Sequence, residues 1–208
     1  MKNFFRILLL FLSSIFIPTI LSAQQQIIVD QDGNGDFTTI QEALDQVNHT
    51  SLSSDMEILI EPGEYDEELR IENIDNSSAL YSITLRSANS AAEDVILTNS
   101  STTTLNERTL FVDSVHYFSM EYLTFKRSSD AYSEAFISLS NNSSNITIAH
   151  NTFLNESTNA TYAIFDNYDF LSEGDTLENL QISNNRFAEV IAFSNYFQIF
   201  KNITFSRF

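Results

Sequence analysis

"NITIAHNTF" (residues 145–153) is echoed by "NLQISNNRF" (179–187), and the spacing of like residues within these two stretches decides the fold. Each carries an alternating aliphatic pair, Ile146/Ile148 and Leu180/Ile182. Each then places an asparagine, Asn151 or Asn185, two residues before a phenylalanine, Phe153 or Phe187. "YFSMEYLTF" (117–125) repeats the apolar positions at Phe118, Met120 and Phe125, with Leu123 where the asparagine would stand. The phenylalanines are 28 and 34 residues apart, a period in the range of solenoid repeats. The alternation predicts strands with one buried face. A unit this short cannot bury that face alone, so it must stack on its neighbours. Stacking also gives the asparagines a physical role, since each amide is expected to bond to the next and satisfy groups otherwise buried without partners.

Working outward, the rest of the chain from Glu57 has the same texture. "EILIEPGEY", "ELRIEN", "YSITLRS", "DVILTNS", "RTLFVDS", "AFISLS", "YAIFDN" and "NITFSRF" are short runs rich in Ile, Leu, Val and Phe, separated by Asn, Ser, Asp and Thr. Such runs bounded by turn formers read as strands. "FQIFKNITF" (197–205) fits the repeat only after a one-residue slip. One stretch alone reads as a helix, Thr39 to about Asn48, so alternating βαβ architecture is excluded. The expected fold class is all-β, a β-solenoid with an N-terminal capping helix.

These residues also carry a resemblance. "ILIEPGEYDEELRI" (58–71), with a Pro62-Gly63 turn and Tyr65 at a corner, is similar to the first coil of the right-handed parallel β-helix, pectin-lyase-like superfamily, and "ITLRS" (83–87) and "ISNNRF" (182–187) resemble its later coils. Periodicity by itself gives a β-solenoid; right-handedness is what the resemblance implies. "IIVDQDGNGDFTTIQEALDQV" (27–47) resembles the N-terminal segment of pectin methylesterases: a strand, a Gly-Asp-Phe turn, then a helix that caps the open end of the solenoid. Thr39 and Glu42 have capping-box spacing, and Ile40, Ala43, Leu44 and Val47 form an apolar stripe fit to cover the first coil. A competing reading of the same stretch is a calcium loop built on Asp30, Asp32 and Asn34. That loop needs a bidentate Glu in its twelfth position, where Gln41 stands. Asp30, Asp32 and Asp36 are left as candidates for weak metal contact only.

The resemblance implies where esterase chemistry should lie. In pectin methylesterases a "QAVAL"-like strand supplies an oxyanion-hole Gln, a "YQDTLY"-like stretch a second Gln and the acid/base Asp, "DFIFG" the nucleophilic Asp, and "GRPW" an Arg. Along residues 122–162 the first Gln falls on Glu134, the second on Ser157 and the acid/base Asp on Thr158. Thr158 cannot shuttle a proton near neutral pH, and an ionised Glu134 would repel a developing oxyanion. Neither "DFIFG" nor "GRPW" occurs, and Asp166 and Asp169 sit in a different local pattern. The catalytic set of the esterases is expected to be lost. A polysaccharide lyase on the same scaffold would need a cation near a uronate, and "LTFKRSSD" (123–130) offers Lys126, Arg127 and Asp130 beyond a strand end, where solenoid loops often carry sites. With Glu134 these are the candidate carbohydrate-binding residues. The alternative for them is a charged turn that keeps a loop solvated.

Composition sets the surroundings. Asp and Glu number 28 against 10 Lys and Arg, for a formal net charge of −18. That surface disfavours nucleic acid and anionic lipid, whose binding needs cationic neutralisation of phosphates. The first 23 residues, with Lys2 and Arg6 ahead of an apolar stretch ending in Ser-Ala, read as a secretory signal peptide cut after Ala23. The other reading, an uncleaved anchor, is opposed by Pro18. Residues 24–208 then form one solenoid domain, expected to be the N-terminal part of a longer one, secreted or at the cell surface of a bacterium. Cysteine is absent, so stability must come from packing. His49, His116 and His150 are scattered rather than arranged as ligands, with His150 at an Asn-like turn position. The Asn-x-Ser/Thr sites at Asn48, Asn76, Asn145, Asn155 and Asn202 read as turn and ladder residues. No cofactor is expected, with calcium left open. Two functions follow: a module that binds, and at most processes, an extracellular uronate-containing polysaccharide, or a non-catalytic adhesin-type stalk.

Overall fold

Apolar residues on alternate strand positions and polar corners wind this chain into a right-handed parallel β-helix. The computed structural model describes residues 24–100, 108–127, 135–139, 143–157, 162–166, 177–193 and 204–206. The signal-peptide expectation for residues 1–23 lies outside them. The first sheet contains β1 (Gln25–Val29), β2 (Met56–Ile60), β5 (Ile83–Ser87), β8 (His116–Glu121), β11 (Ser144–Ala149), β14 (Gln181–Ser183) and β17 (Thr204–Ser206). The second contains β3 (Gly63–Asp66), β6 (Val95–Thr98), β9 (Thr124–Arg127), β12 (Thr152–Asn155) and β15 (Arg186–Ala188). The third contains β4 (Leu69–Glu72), β7 (Leu110–Asp113), β10 (Ala135–Leu139), β13 (Tyr162–Asp166) and β16 (Ile191–Phe193). Strand pairings within the sheets are parallel, and each coil adds one strand to each sheet. The helix α1 (Ile40–Val47) lies between β1 and β2.

Register turns the sequence repeat into columns of like side chains. Ile58, Leu85, Met120, Ile148 and Ile182 pair in series through the first sheet, and all are buried. The second sheet stacks Tyr65, Leu97, Phe125, Phe153 and Phe187. The ring of Phe153 lies 5.1 Å from those of Phe125 and Phe187, nearly parallel to both. The slipped repeat finds its place as well: β17 pairs Phe205 with Ile182, so this segment continues the aliphatic column of the first sheet, not the phenylalanine column.

The corner asparagines bond differently from the expected amide-to-amide ladder. Asn151 Oδ1 accepts from the Leu123 amide (2.9 Å) and its Nδ2 donates to the Met120 carbonyl (2.9 Å). Asn185 repeats this one coil on, with the Asn151 amide (2.8 Å) and the Ile148 carbonyl (2.8 Å). Each side chain therefore caps the backbone of the preceding coil. The residue before each corner, Tyr122, His150 or Asn184, takes a left-handed conformation with φ of 55, 59 and 55°. His150 stacks on Tyr122 with centroids 4.7 Å apart, a structural role. Leu123 needs no asparagine because the corner before it is a longer loop holding the 3-10 turn Ala92–Asp94, whose Ala92 carbonyl accepts from Thr124 Oγ1 (2.8 Å). An amide-to-amide bond does form at the entry to the first sheet, from Asn179 Nδ2 to Asn145 Oδ1 (3.0 Å).

The segment 29–48 is the cap, and it closes all three sheets. Ile40, Ala43, Leu44 and Val47 are buried against the first coil. A bare first coil would expose unpaired strand edges, and side chains from this segment occupy them. Gln41 Oε1 accepts from the Arg70 amide (2.7 Å) and Asn48 Oδ1 from the Glu72 amide (2.9 Å), sealing β4. Gln31 Nε2 donates to the Glu64 carbonyl of β3 (2.8 Å). On β1, Asp36 Oδ2 accepts from the Ile28 amide (2.8 Å), and the Asp36 and Phe37 amides return to the Ile28 carbonyl (2.7 and 3.2 Å). That close return explains Gly35, where a Cβ would stand 2.5 Å from the Ile28 carbonyl oxygen. Asp30 accepts from the Asp32 amide (2.8 Å) and the Asn34 side chain (3.0 Å), so it is committed to the turn.

The helix start is only partly the expected capping box. Thr39 Oγ1 accepts from the Glu42 amide (3.3 Å). The two preceding amides, of Ile40 and Gln41, donate to the carboxylate of Glu67 (3.0 and 2.9 Å), which arrives from the corner between β3 and β4. A carboxylate at a helix N-terminus satisfies orphan donors and complements the dipole. Glu67→Ala is expected to cost about 1–2 kcal/mol, seen as a lower urea midpoint; an unchanged midpoint would refute this role.

Tyr65 fills the corner at the first-coil signature, 1% exposed, with its hydroxyl donating to the Glu61 carbonyl (3.0 Å). Burial, reinforced by the carboxylates of Asp30, Glu67 and Glu61, pushes its hydroxyl up to about 12. The unfolded chain loses this proton at about pH 10, before the folded one does. Stability is therefore complete below about pH 10 and falls as pH rises from there through about 12. Urea midpoints measured across that range should decline in the wild type and flatten in Tyr65→Phe; parallel curves for the two would contradict the assignment.

Candidate functional site

Two of the sequence candidates, Lys126 and Arg127, are among the described residues, and they lie at the corner where strands of the second sheet leave toward the third. Strand alternation sends Lys126 outward and Arg127 toward the interior side of β9. Lys126 is half-buried, and its Nζ lies 3.4 Å from Glu156 Oε2 at the exit of β12 one coil on. Arg127 is 6% exposed, and its carbonyl accepts from the Glu156 amide (2.8 Å). An Asx turn follows, in which Asn155 Oδ1 accepts from the Ser157 amide (3.1 Å), while Asn155 Nδ2 donates to the Glu189 carbonyl beyond β15 (3.1 Å). The corner thus brings Lys126 together with Glu156 and Ser157 of the next rung. Asp130, Glu134, Thr158 and Asp169 lie outside the described residues, and Asp166 is placed only as the last residue of β13.

The outer face of the third sheet, directly past that corner, carries a cluster that no motif in the sequence announces. Register sets Arg70, Phe111 and Ser138 side by side on β4, β7 and β10. The Phe111 ring has the Arg70 guanidinium 5.3 Å and the Arg108 guanidinium 4.3 Å from its centroid. Arg108 Nη1 donates to Ser138 Oγ (3.1 Å). The signal is present only as the arginines in "LRI" and "RTLF"; their meeting depends on coil lengths that the sequence does not display. The first sheet's outer face differs, presenting the row Thr84, Ser119, Thr147 and Gln181.

Among the described residues, no group of three or more His, Asp or Glu side chains converges as a metal would require. His116 Nδ1 meets Ser144 Oγ (2.7 Å), and His49 Nε2 lies 3.6 Å from Glu72, both local contacts. No helix among the described residues is long and apolar enough to cross a membrane. An open hollow of about 650 Å³ beside the cap, floored by Ile27, Phe37, Val47 and Met56, is remote from this corner in the chain.

The family model described as Pectinesterase matches residues 26–177, from the cap strand through four stacked coils of the solenoid. The chain belongs to the pectinesterase family. A similar solved structure is the crystal structure of the pectin methylesterase from Aspergillus niger, at 17% identity and a TM-score of 0.47, with 86% of this chain and 66% of that chain covered. The chain thus spans 66% of that enzyme's length. No curated protein matches the sequence. At the corner, Ser157 follows Glu156, which forms an ion pair with Lys126.

Proposed function

We propose that this pectinesterase-family chain is a secreted bacterial module that binds a pectin-like or other uronate-containing polysaccharide along the outer surface of its solenoid, with the family's esterase chemistry lost. The observation that carries the reading is the family match over residues 26–177; the loss of esterase chemistry is inferred from the resemblance, which sets Glu134, Ser157 and Thr158 against the two amides and the acid/base carboxylate. A Lys126–Glu156 pair at a half-exposed corner can exchange its internal contact for a uronate carboxylate and sugar hydroxyls at little cost, because surface ion pairs are weak. Arg127, Asp130 and Glu134 complete the proposed sugar-contacting set. Arg127, whose side chain is buried, takes part there through its carbonyl, which holds the Glu156 amide. Calcium would enter only as a bridge between acidic side chains and uronates.

The second reading is an adhesin-type stalk. The row of Gln26, Glu57, Thr84, Ser119, Thr147 and Gln181 on the first sheet favours it, since it offers a sugar no aromatic platform. A glycan array probed with and without calcium, followed by product analysis on pectin and alginate, separates the two. Binding of uronate polymers without release of methanol or unsaturated products is expected. An array with no bound glycan would overturn the carbohydrate reading, and methanol release would overturn the loss of esterase chemistry.

A further inference from the structure

The chain has ten Lys and Arg residues against 28 Asp and Glu, and eight of the ten lie beyond Lys2 and Arg6. Two of those eight, Arg70 and Arg108, meet over the outward-facing ring of Phe111. Like charges brought together carry a repulsive cost unless something holds them, and here both are held. The backbone of Arg70 is fixed by the cap helix, through Gln41 Oε1 at its amide (2.7 Å) and Asn48 Nδ2 at its carbonyl (3.1 Å). The Arg108 carbonyl accepts from Asn99 Nδ2 (2.8 Å), and its guanidinium reaches Ser138 on the next rung (3.1 Å). Phe111 is only 8% exposed, with both guanidinium groups against its ring. Stacking on a ring face orients a guanidinium in advance, which lowers the ordering cost of binding.

We propose that Arg70, Phe111 and Arg108 form a subsite for the free carboxylate of a uronate polymer, so that the protein prefers de-esterified stretches to methyl-esterified ones. This rests on the carbohydrate reading and gives it a substrate class. A carboxylate is planar and matches the donor fork of a guanidinium, whereas its methyl ester carries no charge to pair. Arg70 is the accessible partner. Its present contact, to Glu68 Oε1 at 3.3 Å with the two side chains 47% and 38% exposed, is of the weak surface kind a ligand displaces. Arg108 contributes a fixed second charge while keeping its bond to Ser138. The column Arg70, Phe111, Ser138 runs across the strands; Phe111 and Ser138 are 8% and 2% exposed, so a chain lying along the solenoid axis meets the column at Arg70.

Titration calorimetry at low salt with oligogalacturonate, its fully methyl-esterified form and a neutral galactan tests this on the whole secreted chain. The wild type should bind the free acid at least about tenfold more tightly than the ester, a difference of about 1.4 kcal/mol, and the gap should narrow as salt is raised. Arg70→Gln should abolish the preference, and Arg70→Lys, which keeps charge but not the fork, should retain part of it. A circular-dichroism melt confirms that each variant is folded. Equal binding of acid and ester by the wild type, or an undiminished preference in folded Arg70→Gln, overturns the subsite and leaves polysaccharide binding standing. A wild type that binds none of the three overturns both.

Discussion

Phe153→Ala should lower the stability of the solenoid by about 3–5 kcal/mol, the range for emptying a fully buried aromatic site. Phe153 is 0% exposed. Its ring is stacked against Phe125 and Phe187, each 5.1 Å away, and tilted against Phe136 at 5.9 Å. Three ring pairs are lost together, each worth about 0.5–1.5 kcal/mol beyond burial, and the surrounding rungs cannot collapse because their backbones are tied by ladder hydrogen bonds. In a stacked array each unit is stabilised by its neighbours. A void at this level therefore uncouples the coils on either side, and the denaturant transition should broaden as well as shift. Phe153→Leu keeps most of the volume and should cost less. Urea unfolding followed by circular dichroism measures both, and a loss below about 1 kcal/mol for Phe153→Ala would mean that the column does not hold the coils together.

The phenylalanine column is legible in the sequence because it is a matter of period. Phe125, Phe153 and Phe187 recur behind a similar local pattern, and a strand that must bury one face leaves the chain few other arrangements. The cap helix is legible for the same reason: Ile40, Ala43, Leu44 and Val47 fit a helical stripe with no other use. What the sequence hides are contacts whose partners come from different coils. Glu67 caps α1, Gln41 and Asn48 seal β4, and Gln31 seals β3. Each is a polar residue in a turn or on a helix, ordinary until the register is known. The same holds for Arg70, Phe111 and Arg108, which unequal loops bring onto one face. At the candidate corner, Lys126 and Arg127 are expected beyond a strand end, but β9 runs through both of them, and the structure adds Glu156 as the partner of Lys126. The opposite facing of Lys126 and Arg127 follows from strand alternation once β9 is known to run through Arg127.

The second large effect is expected at Asn151, and it separates two kinds of asparagine that look alike in the sequence. Asn151 is 1% exposed. Truncating it to alanine strips the Leu123 amide and the Met120 carbonyl of their partners at 2.9 Å, in a corner walled by Leu123 and Met120, themselves fully buried. A buried backbone group left unsatisfied costs about 1–3 kcal/mol, so Asn151→Ala should lose about 2–5 kcal/mol. Asn179 also donates through its amide, to Asn145 Oδ1 at 3.0 Å, but it is half-buried and has φ of 57°. Asn179→Gly keeps that backbone conformation without strain and removes a side-chain bond whose acceptor is also within reach of water. It should cost about 1 kcal/mol or less. Asn151→Asp sharpens the comparison: it preserves an acceptor for Leu123 but places a charge where Met120 needs a donor, so it should be no better than alanine at neutral pH and should recover as acid neutralises it. If urea midpoints fell equally for Asn151→Ala and Asn179→Gly, the corner asparagines would be ordinary turn formers, and the capping of each coil by the next would not be what holds the stack in register.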